Sequence, residues 1–525
     1  MGRIRFGVSF LAAAAFALVL LSAASAQPNR QARYGGVLTT GIALGEPDVL
    51  DPTLARTYGA AQVFRTICEG LYDTDSNLRV VPWLAAALPV ISQDKLTYTI
   101  PLRKGIVFND GTPFDAQAVV SSLQRHMTLS GSAQAQLLSP VDSVSASDPS
   151  TVVIHLKTRY SPLTVGLTGN AGIAMSPAQL AKLGKSFGTN PVCVGPFMFD
   201  GRVAGDSVTV IKSPYYYRKT AVHLDKIVFK IVNDAAAAAA ALKAGDLQAL
   251  DSVSSTQLES VQQTSSLRVL RQNTIGFSSI VFNIGNKNGI GNLPYTNVGT
   301  ALASSAKLRQ AFEEAIDRDT LARVVYAGNV EPGCTLVAPR NTAWYDATNV
   351  PCTPYDPADA KRLIAASGVA SPTVHLLTPS SSDSQRLAQF IQAQEAAVGI
   401  TVVIDSVDFV SSLARARAGS FDAFLIGSTG ILDPGISFDR WLGTAGSLNL
   451  GGYSNPRFDY VMANGFKATT AKARQTLYRV AQQILVADRP IIFLNHAINY
   501  GAVSTNVTGV QLVSISFRVA FAQLN

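Results

Sequence analysis

Charge is scarce in this chain, and the motifs of most enzyme classes are missing. Charged residues make up 15% of the sequence, and no cluster of Lys and Arg stands out. A formal charge of +8 spread over 525 residues is mild, so nucleic-acid binding is not indicated and the basic balance reads as surface solubility. There is no G-x-S-x-G elbow, no H-E-x-x-H, no P-loop and no dinucleotide-binding glycine pattern after a strand. His126, His155, His223, His375 and His496 are scattered, and none stands beside an acid and a nucleophile. With no C-x-x-C either, a metal centre is not supported and no cofactor is called for. No internal repeat argues for an adhesin or a solenoid. Beyond Gln27 no window is long and apolar enough to span a bilayer; residues 235–242 come nearest and read as a short Ala-rich helix.

What is present points to an exported, two-lobed globular protein. A chain of 525 residues exceeds one hydrophobic core. Its 47% hydrophobic content excludes disorder. Arg3 and Arg5 precede an apolar run over residues 10–21, and Ala24-Ser25-Ala26 offers a signal-peptidase site before Gln27. The alternative is an uncleaved anchor, but the run is short and small residues follow it. No Cys in this region can accept a lipid. The four cysteines, Cys68, Cys193, Cys334 and Cys352, are an even set in an exported chain and allow three pairings. Cys334 and Cys352 flank a Pro- and Asn-rich loop and are natural partners.

The most informative stretch runs over residues 71–126. Leu96, Tyr98, Ile100 and Leu102 alternate with polar positions and Pro101, as in a strand with one buried face. Ile106 and Phe108 repeat the spacing after a turn at Lys104-Gly105. Asn109-Asp110-Gly111-Thr112-Pro113 reads as a second turn. Asp115 then caps a helix whose apolar face carries Val119, Leu123 and Met127.

In order, Pro82-Trp83-Leu84-Ala85, Tyr98-Thr99, Leu102-Arg103, Phe108-Asn109-Asp110-Gly111 and Phe114 resemble the signature of the extracytoplasmic solute-binding protein family 5, the peptide-, opine- and nickel-binding receptors of ABC importers. The resemblance continues along nearly all of the chain beyond the signal. It opens with a Gly35-Gly36-Val37-Leu38 strand and a loop ending Leu50-Asp51-Pro52. Glu69-Gly70-Leu71-Tyr72 closes a short helix over residues 60–72. Residues 190–197 resemble the family's P-V-G-T-G-P-F turn, with Cys193-Val194 in place of Gly-Thr. That departure makes Cys68–Cys193 a second bridge, the alternative being two buried thiols. Tyr215-Tyr216-Tyr217 matches a strand-to-turn element rather than a ligand platform. Strands are expected over residues 226–231, 278–283, 373–377, 401–405 and 490–494, and helices over 234–243, 307–326, 355–368, 384–398 and 471–485. Within 307–326, Asp317 and Arg318 read as a helix-end charge pair. Gly452-Tyr453-Ser454-Asn455-Pro456 matches a further family turn.

The resemblance implies an α/β, two-lobed periplasmic binding protein fold of type II, in the large class with an extra subdomain. It divides the chain into a signal peptide (1–26), a first part of lobe I (27–72), the extra subdomain (73–185), a second part of lobe I (186–280), lobe II (281–494) and a return to lobe I (495–525). The function implied is capture of peptides or of peptide-like and opine-like solutes, and their delivery to the permease subunits of an ABC importer, by a monomer that performs no chemistry and closes by hinge motion. The alternative of another class is a secreted hydrolase of peptides or glycosides, because triads can be scattered in sequence. Cleft loops fall at residues 46–58, 338–345, 427–433 and 495–499. Their candidate ligand contacts are Glu46, Tyr58, Arg340, Trp344, Tyr345, Gly427, Ser428, Thr429, Asn495 and His496: Arg340 for a carboxylate, Trp344 or Tyr345 for stacking. Where peptide receptors carry G-W-x-x-D-x-x-D-P, this chain reads Gly427-Ser428-Thr429-Gly430-Ile431-Leu432-Asp433-Pro434. The Asp that holds a peptide's amino terminus has no counterpart, so free dipeptides are expected to bind worse than modified peptides, opine-like conjugates or sugar-like solutes unless Glu46 or another acid supplies the charge.

Overall fold

The computed structural model describes Gly2 and residues 34–345, 352–514 and 516–525. Apart from Gly2, the residues expected to form a signal peptide, and the expected cleavage site, lie outside the described residues.

One sheet runs through the whole molecule. Twelve strands take part, and ten of them follow one path. On lobe II the order is Thr401–Val407, Thr373–Pro379, Ala423–Ser428, Phe277–Phe282 and then Ile491–Ser504. On lobe I the path goes on through Ala249–Leu250, Val37–Ile42, Lys226–Ile231, Ser207–Lys212 and Phe197–Val203. Strand Ile491–Ser504 belongs to both lobes. Its first half pairs antiparallel with Phe277–Phe282, and residues 498–504 pair with Leu267–Asn273. The chain therefore crosses between lobes at residues 274–276 and again near 496–498. Sequence reading expected a strand of five residues from 490 to 494; it continues to Ser504 because residues 498–504 find a second edge on Leu267–Asn273.

The central strands of lobe II are apolar on both faces, as strands covered by helices on each side must be. Ile491 and Phe493 enter one core with Phe277, Val281, Phe424 and Ile426. Ile492 and Leu494 enter the other with Ile280, Phe282, Ala423 and Leu425. Helix boundaries follow local chemistry. Asp356 caps Pro357–Ser367 and Gly368 ends it at φ 74°; Asp234 and Gly245, the latter at φ 89°, do the same for Ala235–Ala244.

The expected helix over 307–326 is two helices, Ala306–Glu314 and Arg318–Tyr326. Asp317 is the cap of the second, accepting from the N–H groups of Asp319 and Thr320 at 3.1 and 3.0 Å. It is not the partner of Arg318, which pairs with Glu313 at 2.9 Å. The cap wins because an extended Asp317 satisfies two helix-terminal donors at once.

A separate antiparallel sheet, ordered Val90–Ile91, Thr97–Pro101, Thr151–Leu156 and Val141–Asp148, packs on helix Ala116–Thr128. Tyr98 and Ile100 are buried and alternate with half-buried neighbours, and Val119 and Leu123 face them across this core. Cys68 and Cys193 are joined, as are Cys334 and Cys352.

Candidate functional site

Lobe II touches the rest of the molecule along a seam, and side chains from seven segments build it. Gln136, on the short helix Ala135–Leu138, donates to Asp439 Oδ2 at 2.7 Å and accepts from the Ser447 N–H at 2.8 Å. Ser161 donates its N–H to the Phe466 carbonyl and its hydroxyl to the Ala468 carbonyl, while Tyr160 packs on the Phe466 ring at 5.0 Å. Arg340 reaches from lobe II to the Ser76 carbonyl at 2.9 Å. Near the crossing strands, Arg386 donates to Ser255 Oγ at 2.9 Å.

Helix Pro434–Leu442 presents one end to its own lobe and the other to this seam. At its start Asp433 caps the helix and receives Arg474 Nη2 at 2.5 Å. Tyr478 and Trp344 complete this cluster, the Arg474 guanidinium lying 4.8 Å from the Trp344 ring. At the far end, Asp439 meets Gln136, and burial pushes its carboxyl up to about 6. The next residue, Arg440, makes no hydrogen bond through its side chain and has no carboxylate within 4.0 Å among the described residues.

Two more arginines lie close by. Arg56 of lobe I is held by carbonyls alone, Leu54 at 2.8 Å and Gly131 at 2.6 Å. Arg417, in the last turn of helix Phe409–Ala418, donates to the Ser447 carbonyl at 3.3 Å. Burial first, and then the positive charge of Arg56, push both Arg417 and Arg440 below the ordinary arginine value. Three like charges thus gather about the Gln136–Ser447 bridge with no acid set against them except Asp439. An arginine fork left in this state is matched by a carboxylate.

The residues singled out from sequence fall into three groups. Arg340, Trp344 and Tyr345 lie on one loop of lobe II, which Asn341 ties to Leu432 at 2.9 Å; residues 338–345 and 427–433 are therefore one wall. Gly427 and Thr429 are exposed on it, and the Ser428 hydroxyl accepts from the Gly430 N–H. Trp344 spends one face on Arg474. Asn495 and His496 are buried in the crossing strand, where His496 Nδ1 pairs with the Gly276 carbonyl at 3.0 Å and burial lowers its pKa. Glu46 and Tyr58 belong to lobe I. Glu46 pairs with Arg202 at 2.8 Å and accepts from the Gly205 N–H, which holds its carboxyl below the usual range. Tyr58 is hydrogen-bonded to Asp251, whose carboxyl burial raises to about 7. The sequence reading missed Arg56, Gln136, Tyr160, Arg417, Asp439 and Arg440, which no local motif connects.

Among the described residues no group of His, Cys, Asp and Glu is placed to hold a metal, and no helix is long and apolar enough to cross a membrane.

Residues 79–449 match the bacterial extracellular solute-binding proteins, family 5, middle region. The chain is 30% identical over 481 residues to the glutathione-binding protein GsiB of Pectobacterium atrosepticum, covering 88% of each chain. It is similar in structure to the oligopeptide-binding protein AppA of Bacillus subtilis in complex with a nonapeptide, with TM-score 0.83, 21% identity and coverage of 94% of this chain and 100% of that one. It is also similar to AgaA of A. tumefaciens R10 in complex with agropinic acid, with TM-score 0.82, 24% identity and coverage of 93% and 99%.

Proposed function

Because this chain belongs to the bacterial extracellular solute-binding proteins of family 5, and so serves an ABC importer as its substrate-binding component, we propose that its solute is a peptide-like compound carrying at least two carboxylates, with glutathione the first candidate. The observation that carries this reading is the arginine cluster at the seam, where Arg56 from one lobe faces Arg417 and Arg440 from the other with little to neutralise them. An anion placed there is gripped from both lobes and relieves their repulsion, so binding and closure are one event. The state of the acids agrees. Glu46 is engaged by Arg202 and Asp433 by Arg474, so the site favours carboxylates over ammonium groups; glutathione carries one ammonium, which its own neighbouring carboxylate offsets, and a second carboxylate that an ordinary neutral dipeptide lacks. The relative at 30% identity is named for glutathione, a modified peptide with two carboxylates. Arg340, Tyr345, Gly427 and Thr429 form the lobe II wall of the same site; Asn495 and His496 serve the crossing strand.

The test is a titration with glutathione, its dimethyl ester and a neutral free dipeptide, read by calorimetry and thermal shift. Glutathione at a hundred times its Kd stabilises by about 2.7 kcal/mol. The diester and the dipeptide give a far smaller effect, and Arg440→Ala or Arg56→Ala weakens glutathione by about tenfold each. Equal binding of acid and diester, or preference for the dipeptide, overturns the reading.

We further read residues 1–26 as a cleaved signal peptide, so that the protein works outside the cytoplasm as a monomer that docks transiently on permease subunits. N-terminal sequencing of the exported protein is expected to begin at Gln27; a start at Met1 or Gly2 refutes cleavage.

A further inference from the structure

A second cationic cavity shares no lining residue with the arginine cluster of the seam. It measures about 240 Å³, and its lining comes from lobe I, from Asp73, Val81, Pro82 and Trp83 at the start of the extra subdomain, and from the C-terminal segment. Dividing by the volume of a water in the liquid, it holds about eight waters' worth of space, which suits a compact organic molecule and not an extended peptide.

Its charges do not balance. Asp73, on strand Tyr72–Thr74, is the only acid in the lining, and two arginines already share it. Arg65 Nη1 reaches it at 2.5 Å from the last turn of helix Tyr58–Ile67, and Arg518 Nη1 at 2.8 Å from strand Ser516–Arg518. Arg518 also donates to the Thr74 carbonyl at 3.0 Å, yet its Nε is buried without a partner. Among the described residues the third cation, Arg218, has neither a hydrogen bond nor a carboxylate within 4.0 Å through its side chain; its guanidinium lies 5.3 Å from the centre of the Phe521 ring. Three guanidiniums line the cavity against one carboxylate, and Glu69, behind the lining, offsets part of the excess at Arg218. Glu69, whose charge Arg218 feels, is engaged elsewhere: it takes the hydroxyls of Tyr216 at 2.5 Å and Tyr217 at 3.0 Å, and burial raises its carboxyl to about 7.

Apart from Gly509 and Gln511, the remaining wall is apolar. Trp83 and Phe521 contribute rings, and Val81, Pro82 and Ala520 fill between them. Guanidinium forks beside aromatic faces recognise a doubly charged oxyanion attached to a planar body.

We propose that this cavity is a second ligand site, for a small organic dianion of about ten non-hydrogen atoms, an aromatic dicarboxylate or a phosphomonoester, whose charged groups meet Arg218 and Arg518 while its body lies against Trp83 and Phe521. The site does not depend on which solute fills the seam.

Phthalate and phenyl phosphate are the probes, with benzamide as the neutral shape control, at constant ionic strength. Tryptophan fluorescence and thermal shift are read on the full exported chain. Saturable binding of at least one dianion is expected, with none for benzamide, and the preference between the two probes says whether a planar or a tetrahedral oxyanion fits. Arg218→Ala is expected to weaken it about tenfold; the side chain makes no hydrogen bond, so the unliganded melting temperature reports separately on folding. Trp83→Phe should keep the thermal shift and lose most of the fluorescence change, which places the probe against that ring. Arg440→Ala, which alters the seam, should leave dianion affinity as it is. The proposal is overturned if neither dianion saturates, if Arg218→Ala binds as tightly as the parent, or if Arg440→Ala abolishes binding, since the probe then occupies the seam.

Discussion

The two ends of helix Pro434–Leu442 treat an arginine in opposite ways. At the N-terminal end Arg474 is 6% exposed, and Asp433, Tyr478, the Gly465 carbonyl and the Trp344 ring absorb its charge within lobe II. At the C-terminal end Arg440 is half-buried, unpaired, and faces a second cation from the other lobe. Packing explains the first as a device that fixes the wall loop 427–433 to the helix behind it. It does not explain the second, because a cation beside like charge gains nothing for the empty protein except the favourable helix-end dipole. On the reading proposed above, that uncompensated charge is the one a ligand's carboxylate meets.

Breaking the paired end has the largest expected effect. Arg474→Ala leaves Asp433 buried without its partner, a loss of about 3–5 kcal/mol, visible as a lower urea midpoint in the absence of any ligand. A midpoint within experimental error of the parent would show that the pair does not hold the loop.

A middle case sharpens the contrast. Glu395 is fully buried, and neither of its carboxylate oxygens has a partner. Burial raises its pKa well above 4.5, so the folded state holds the proton more tightly than the unfolded chain. Its contribution to stability is therefore complete below pH 4.5 and lost progressively as pH rises toward the folded value. Glu395→Met, of similar volume, is expected to stabilise by about 1–3 kcal/mol at pH 8, and its melting temperature should fall less between pH 5 and 8 than the parent's. Parallel pH profiles for the two proteins would reject this.

The smallest effect is expected at the unpaired end. Arg440→Ala should change the stability of the unliganded protein by no more than about 0.5 kcal/mol, while weakening glutathione as described above. A large loss of unliganded stability would turn Arg440 into a structural residue and remove the contrast.

Which of these features the sequence reveals depends on how local they are. The alternation at Tyr98 and Ile100, the cap at Asp115, and the helices expected over 234–243 and 355–368 are decided within a few residues; the structure has them, the two helices as Ala235–Ala244 and Pro357–Ser367. Asp317 was misassigned because a cap and an ion pair use the same two residue types side by side. The expected strand stops at Leu494 because Asn495, His496 and Asn499 interrupt the apolar run; Ile498, Tyr500 and Ala502 resume the alternation beyond them, and that half gains its partner from residues 267–273. The loops of Trp344 and Ser428 stand out in the sequence separately; that Asn341 ties them together at Leu432 is visible only in the structure. Arg56, Arg417 and Arg440 were not: each is an ordinary basic residue among scattered ones, and only the closing of two lobes gathers them. The domain limits set at 185 and 280 rest on the family resemblance alone.

The strand that both lobes share also sets a timetable. Neither half of the long sheet can be completed until Ile491–Ser504 has been synthesised; strand Phe277–Phe282 waits more than two hundred residues for its neighbour, and Leu267–Asn273 as long. Pairings of such separation form slowly and late. A nascent chain of this design leaves the ribosome with both lobes unfinished, and so in the loose state that passage through a membrane, under the export proposed above, would require. Moving this strand to the front of the gene, by circular permutation, would let the lobes close early and should jam that passage while leaving the purified receptor able to fold.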